Sequence, residues 1–324
     1  MLLHSVFAKL FYRIFPMFLS LYLSLAGTVP AAPGTEQPIT PKQDGVCVTF
    51  AALADPQISN YMAERYPVFE AAAADLHNND GTLDAVIMAG DIAENGLDME
   101  YQLVYDKLSG LNTRYLIGTG NHDIRLRAYN QTVNRFCTFV NALNGDNSVQ
   151  ALNYSETVNG CKFIMLGSDR TVFEEAYFSD SQLDWLQNEL ASADGKPVFV
   201  ICHQPLKLTH GLPDTWGSPI DSAGSVGDQS DTLLNIFKQF PNVFFITGHL
   251  HTGFGQYTYE TAEGVSLVNL PSLCIKNKDG DENGPGIGFI VEVYEQEVLF
   301  RARNFAKGEW VPAFDFSVPV TAVK

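Results

Sequence analysis

From residue 46 onward the chain alternates between short, continuously apolar runs and longer segments with helical spacing. The runs read VCVTFAAL (46–53), DAVIMAG (84–90), RYLIGTG (114–120), KFIMLGS (162–168), PVFVICH (197–203) and NVFFITG (242–248). Runs of this length with no polar alternation predict strands buried on both faces. Between them the spacing predicts helices near Tyr61–His77, Leu97–Leu111, Gln131–Leu143, Asp180–Ala193 and Gln229–Gln239. In SDSQLDWLQNELA, a Ser/Asp start precedes apolar positions at Leu183, Trp185, Leu186 and Leu190. Strands alternating with helices make an α/β fold class. The tail carries GVSLVNLP, IGFIVEVY and EVLFRARNF, which predict a second sheet with antiparallel pairing.

Two segments precede this pattern. In residues 1–31, Lys9 and Arg13 lead into the apolar IFPMFLSLYLSLAG, followed by TVPAA with small residues at Val29 and Ala31. This is the layout of a secretory signal peptide cleaved at or near Ala31, and the uncharged run is short for a membrane span. Residues 32–45, opening APGTEQPITPKQD, are Pro-rich and polar and read as a linker. Residues 46–324 remain as a single domain. The full chain is 46% hydrophobic and 18% charged, a globular composition. Its formal charge of −17 disfavours nucleic-acid polymers held by phosphate contacts, because the surface repels polyanions. Cys47, Cys137, Cys161, Cys202 and Cys274 form no CxxC pair and give no disulfide framework.

Chemistry concentrates where the apolar runs stop. In open α/β sheets, function gathers beyond the carboxyl ends of the strands. The residues there are Asp55-Pro56-Gln57, Gly90-Asp91, Gly120-Asn121-His122-Asp123, His203 and Gly248-His249-Leu250-His251. Imidazoles, carboxylates and amide oxygens are the donor set of Zn, Mn and Fe. In an extended backbone His249 and His251 project to the same side, so both can face one site. Asp91 follows a glycine that permits close backbone approach, and its carboxylate can bridge two cations. Asn121 can coordinate through its carbonyl oxygen, with His122 aimed at substrate and Asp123 orienting the ring. His203 shares a strand face with Phe199 and Ile201, so it is a ligand or a satisfied core histidine. Each motif alone also reads as an ordinary turn or loop. His77 is expected near a helix end, His4 in the leader, and His210 in a surface loop. Asn130 and Asn153 open N-x-T and N-x-S triplets, glycosylation acceptors in an exported chain.

In this order the motifs resemble the calcineurin-like metallophosphoesterase superfamily, whose pattern runs D-x-H, GD, GNH(D/E), H, GHxH. The resemblance extends from about residue 46 to the early 300s. It implies a four-layer α/β/β/α sandwich of two mixed sheets, with two divalent metal ions (Mn, Fe or Zn) at one edge. Asp55, Gln57, Asp91 and His251 would hold one ion. Asp91, Asn121, His203 and His249 would hold the other, with Asp91 bridging. His122 would protonate the leaving group or steady the transition state, supported by Asp123. Two such ions outweigh the two carboxylates, leaving a positive centre for a phosphoester and a metal-bound hydroxide. Two positions depart from the pattern. Glu94 stands where purple acid phosphatases carry a tyrosine, which argues against a tyrosine-ligated ferric centre. Gln57 stands where histidine is usual, and its harder, weaker oxygen donor favours Mn or Fe over Zn or makes that ion labile. The implied function is an exported, metal-dependent phosphatase or phosphodiesterase acting on a small phosphoester, similar to the cyclic-nucleotide phosphodiesterase branch. A nuclease and a catalytically silent surface-binding module of the same fold are the alternatives; no stable membrane partner is expected.

Overall fold

Strands that bury both faces need a layer on each side, and the chain supplies them in order. The structure, a computed structural model, describes residues 37–279 and 281–322. The strands β1 (Val48–Leu53), β2 (Ala85–Ala89) and β3 (Arg114–Gly118) pair in parallel and begin the first sheet. The strands β4 (Tyr154–Val158), β5 (Cys161–Met165), β6 (Val198–Ile201), β7 (Val243–Thr247), β8 (Tyr259–Ala262) and β9 (Val265–Asn269) form the second. Its order is β4-β5-β6-β7-β9-β8, parallel at the centre and antiparallel at both edges. The helices are α1 (Arg65–Asn78), α2 (Asp98–Leu108), α3 (Asn121–Ile124), α4 (Tyr129–Asn144), α5 (Asp180–Ala191) and α6 (Ser230–Phe237).

Alternation along each strand divides its side chains between two cores. In β1, Val48, Phe50 and Ala52 face the core between the sheets, while Ala51 and Leu53 join Phe69, Val104 and Phe136 beneath α1, α2 and α4. In β6, Phe199 and Ile201 face inward, while Val198 and Val200 pack with Leu186 and Leu233 of α5 and α6. Phe50 meets Phe163 and Phe199 edge-on across the inner core, at ring separations of 5.1 and 4.9 Å. The result is the helix–sheet–sheet–helix sandwich expected from the motifs.

The tail differs from its expected pairing. β10 (Ile287–Val293) and β11 (Glu297–Asn304) are antiparallel, but they extend the first sheet through β1 rather than building a sheet of their own. β12 (Glu309–Trp310) and β13 (Phe316–Pro319) both pair with β11. Meanwhile β9 enters the second sheet in parallel beside β7. Strand composition reports burial, not which neighbour provides it. β4 and β8 have no predicted counterpart because they are edge strands, YSETV and YETA, with no fully buried residue to make an apolar run.

Residues 37–45, within the expected linker, dock on the first sheet. Ile39 is 1% exposed in the helix-side core, Arg301 Nη1 donates to Thr40 O at 2.7 Å, and Arg303 Nη2 donates to Gln37 O at 2.8 Å. A single isoleucine finding a hole leaves no periodicity to read. The leader expected over 1–31 lies outside the described residues. The segments that follow β1, β2, β3, β6 and β7 meet at one edge of the sandwich, and every expected site residue lies on them, Asn121, His122 and Asp123 in the short helix α3.

Candidate metal centre

The chain turns sharply as it leaves these strands. Asp55 (φ 52°), Gln57 (41°), Asp91 (51°), His249 (73°) and His251 (53°) all occupy the left-handed region that non-glycine residues avoid. They are five of the eleven such residues among those described, a concentration typical of functional loops. Backbone bonds hold the turns: Gln57 N–H donates to Asp91 O at 2.8 Å and Leu250 N–H to Gly248 O at 2.8 Å. GHLH is therefore a tight turn, not the extended segment expected, yet both imidazoles still reach the site. Two glycines leave room for the carboxylates. A Cβ on Gly120 would lie 2.1 Å from Asp91 Oδ1, and one on Gly248 would lie 2.5 Å from Asp55 Oδ2.

Asp91 is central and 1% exposed. Its Oδ1 accepts the His122 N–H at 2.8 Å, and its Oδ2 lies 3.1 Å from His203 Nε2. His203 Nδ1 faces the Ala89 carbonyl at 2.8 Å and so carries a proton, which turns Nε2 toward Asp91 and toward His249 Nδ1 at 3.1 Å. Ligand atoms of Asp91, His203 and His249 lie within 4.8 Å of one another. Asp55 stands alongside: Oδ2 accepts the His249 N–H at 3.0 Å and Oδ1 lies 3.2 Å from His251 Nε2. The buried Asn121 gives its amide nitrogen to Glu174 Oε2 at 2.9 Å, and its Oδ1 is left without a partner.

The charges agree with a cation site. Burial opposes ionisation of Asp91, but His203, His122 and His249 hold its pKa well below the usual carboxylate range. Burial likewise opposes protonation of His203, yet Asp91 and Asp55 carry its pKa up to about 9. Burial and the neighbouring His203 keep His249 well below the ordinary imidazole value. Two buried carboxylates thus draw positive charge into a pocket of nitrogen and oxygen donors. A divalent ion would supply that charge and give the orphaned His249 Nε2 a partner, so the residues fit the expected metal.

Gln57 differs from its expected role. Its amide nitrogen donates to Asp91 Oδ2 at 2.7 Å, so it steadies the carboxylate instead of presenting Oε1 to an ion. A carboxylate only accepts, so the amide that faces it presents its nitrogen.

His122 is placed by groups the motifs do not include. Its Nδ1 lies 3.0 Å from Glu94 O and 3.0 Å from Arg125 Nη2, which leaves Nε2 turned toward Asp91 Oδ2 at 4.0 Å. Burial opposes protonation, but Glu94 and Asp91 raise the ring's pKa above its ordinary value. Glu94 is fixed in turn by Arg65, which also donates to Gln57 O at 2.8 Å. Asp123 does not meet the ring as expected. Its carboxylate accepts the N–H groups of Gly120, Ile92 and Ala93 at 2.9, 3.2 and 3.0 Å and the Tyr101 hydroxyl at 3.0 Å. Four donors leave it no reason to turn to His122; it ties the GD loop to the GNHD loop. His210 is also corrected: it is 1% exposed, with Nδ1 on Tyr257 O at 2.7 Å. Burial pushes its pKa down to about 4, so it stays neutral.

Glu94, Arg125 and Glu174 act on the site from outside the ligand motifs, and Arg125 and Glu174 carry no periodic or motif signal. Glu94 alone had one, its offset of three from Asp91.

A model of the calcineurin-like phosphoesterase family matches residues 48–253. The chain belongs to the calcineurin-like phosphoesterase family. Among its family relatives, a 3',5'-cyclic-nucleotide phosphodiesterase, alr5338, of Nostoc sp. is 26% identical over 59% of this chain and 63% of its own. The glycerophosphodiester phosphodiesterase GpdQ of Enterobacter lignolyticus is 26% identical over 52% of this chain and 56% of its own. The chain thus aligns with somewhat over half the length of these curated relatives. Two solved structures share the fold. The purple acid phosphatase PPD1 of yellow lupin superposes with a TM-score of 0.56 at 13% identity, covering 87% of this chain and 55% of its own. GAP50, the anchor in the inner membrane complex of Plasmodium, gives 0.54 at 14% identity, covering 86% and 89%.

Proposed function

We propose that the chain is an exported, metal-dependent phosphodiesterase acting on small phosphodiesters. The observation that carries this reading is the buried His249 Nε2, left without a hydrogen-bond partner within the Asp91–His203–His249 group. The named activities of the Nostoc and Enterobacter relatives support a diester over a monoester. The acidic chain supports small substrates over a nucleic-acid polymer.

Asp91, Asn121, His203 and His249 would hold one divalent ion. Asp55 and His251 would hold the other, with Asp91 shared and Gln57 steadying it. When bound, a pair of such ions polarises phosphoryl oxygens and lowers the pKa of a water. The rest belongs to the chain's own residues. His122 Nε2, with Nδ1 occupied by Glu94 and Arg125, is held to give a proton to the departing ester oxygen as the P–O bond breaks. Water supplies the oxygen that replaces it on phosphorus. Glu94 and Asp91 raise the ring's pKa, which favours the protonated form. Export rests on the leader pattern at residues 1–31; the amino terminus of the secreted species tests it, and a species retaining residue 1 inside the cell would contradict it.

The reading is tested with bis(p-nitrophenyl) phosphate and p-nitrophenyl phosphate side by side. The bis-ester should be hydrolysed faster by about tenfold or more in kcat/KM, one order of discrimination corresponding to ~1.4 kcal/mol. Preference for the monoester would overturn the diesterase assignment.

A further inference from the structure

Two side chains outside the motif set converge on the centre from different loops. Trp216, in the β6–α6 connection, stacks on His249 with ring centroids 4.5 Å apart and planes 21° from parallel. Lys278, in the β9–β10 connection, places Nζ 4.8 Å from the centroid of the same indole. Its backbone N–H donates to His251 O at 2.6 Å, so the lysine is tethered to one ligand histidine while its ammonium rests on the ring that covers the other. Gly224 abuts the indole, since a Cβ there would lie 2.6 Å from Trp216 Cδ2. The tryptophan is therefore clamped and gives Lys278 a fixed seat.

In a chain of net charge −17, Lys42, Lys107, Lys162, Lys207 and Lys238 each reach a carboxylate. Lys278, like Lys196, Lys276 and Lys307, reaches none within 4 Å among the described residues, and of these four it alone rests on an aromatic face. Such contacts hold a cation in place without neutralising it. Lys278 is exposed to solvent, and its backbone bond to His251 together with its seat on Trp216 places it at the rim of the centre. The residue also lies beyond the segment matched to the family, which ends at residue 253.

We propose that Lys278, seated on Trp216, binds a non-bridging phosphoryl oxygen of the substrate and sets the affinity of the site for phosphoester anions. The inference rests on the metal-dependent reading above. Lys278 is a binding residue in this account, and Trp216 positions it.

The test compares Mn²⁺-loaded wild type with Lys278→Met, Lys278→Arg and Trp216→Leu. Three quantities are read: bound metal, kinetics with bis(p-nitrophenyl) phosphate, and calorimetric affinity for inorganic phosphate. Lys278→Met should raise KM and weaken phosphate binding by about tenfold or more, the size of a lost charge-assisted hydrogen bond, with kcat changed by less than about threefold. Lys278→Arg should restore most of both. Trp216→Leu should weaken phosphate binding by about threefold, as expected for a lost cation–π contact. Unchanged KM and phosphate affinity in Lys278→Met would overturn the inference and leave the metal-dependent reading intact. Loss of metal in Lys278→Met would also overturn it, because the lysine would then be serving the centre's structure. A folded wild type that takes up no metal would overturn both.

Discussion

Asp91 is constrained by four neighbours. His122 and Gln57 hold its two oxygens, His203 lies beside Oδ2, Gln57 returns a backbone bond, and Gly120 leaves it room. The residues around it divide into the proposed ligands and their supports, and mutation should separate the two. His122→Ala should lower kcat by about 10²–10³-fold while bound metal stays constant, the range of a lost general acid. A fall in metal content would instead make His122 a ligand. Glu174→Ala frees the Asn121 amide to turn, and metal affinity should drop by about tenfold or more, as outer partners of ligands typically cost. An unchanged metal titration would show that the 2.9 Å bond to Asn121 does not orient it. Gln57→His restores an imidazole donor beside Asp55 and should tighten binding of one ion by about tenfold, by the softer, stronger donor argument. Identical affinity would keep residue 57 in its present task of steadying Asp91.

Elements differ in how much of themselves they write into the sequence. The central strands announce themselves because both faces are buried: in β2, Ala85 and Ile87 face one core and Val86 and Met88 the other. The edge strands β4 and β8 do not, since a strand with one neighbour carries polar residues outward. The short helix α3 is hidden for another reason, being built by Asp123 capping its own amino terminus at Gly120. That carboxylate is the joint between the loops after β2 and β3. Asp123→Ala strands three backbone donors and the Tyr101 hydroxyl, at about 1–3 kcal/mol for each unsatisfied group. Denaturant unfolding should register a loss of several kcal/mol, or failure to fold, whereas Tyr101→Phe should cost about 1 kcal/mol. Equal, small effects from both would mean that Asp123 is not the joint described.

At the scale of the molecule, the sandwich brings five separate strand ends to one edge, and residues far apart in the chain become neighbours there. Asp55 and His249 are in contact across 194 positions. The ordered motif set was legible because residue types were unusual for their places: imidazoles and carboxylates directly after apolar runs. What was not legible was the company they keep. Glu174 and Arg125 reach Asn121 and His122 through loop geometry, and Trp216 reaches His249 from a segment with no pattern. The turn at His249 and His251 was also hidden, since two histidines spaced by one residue look the same extended or folded. A centre that must hold metal to act is a property of the whole assembly. Its direct test is metal titration of the folded protein with bis(p-nitrophenyl) phosphate turnover followed at each step. About two Mn²⁺ per chain should bind, with activity abolished by exhaustive chelation and regained on adding metal back. Full turnover in the chelated protein, or a folded protein that binds no metal, would contradict the account.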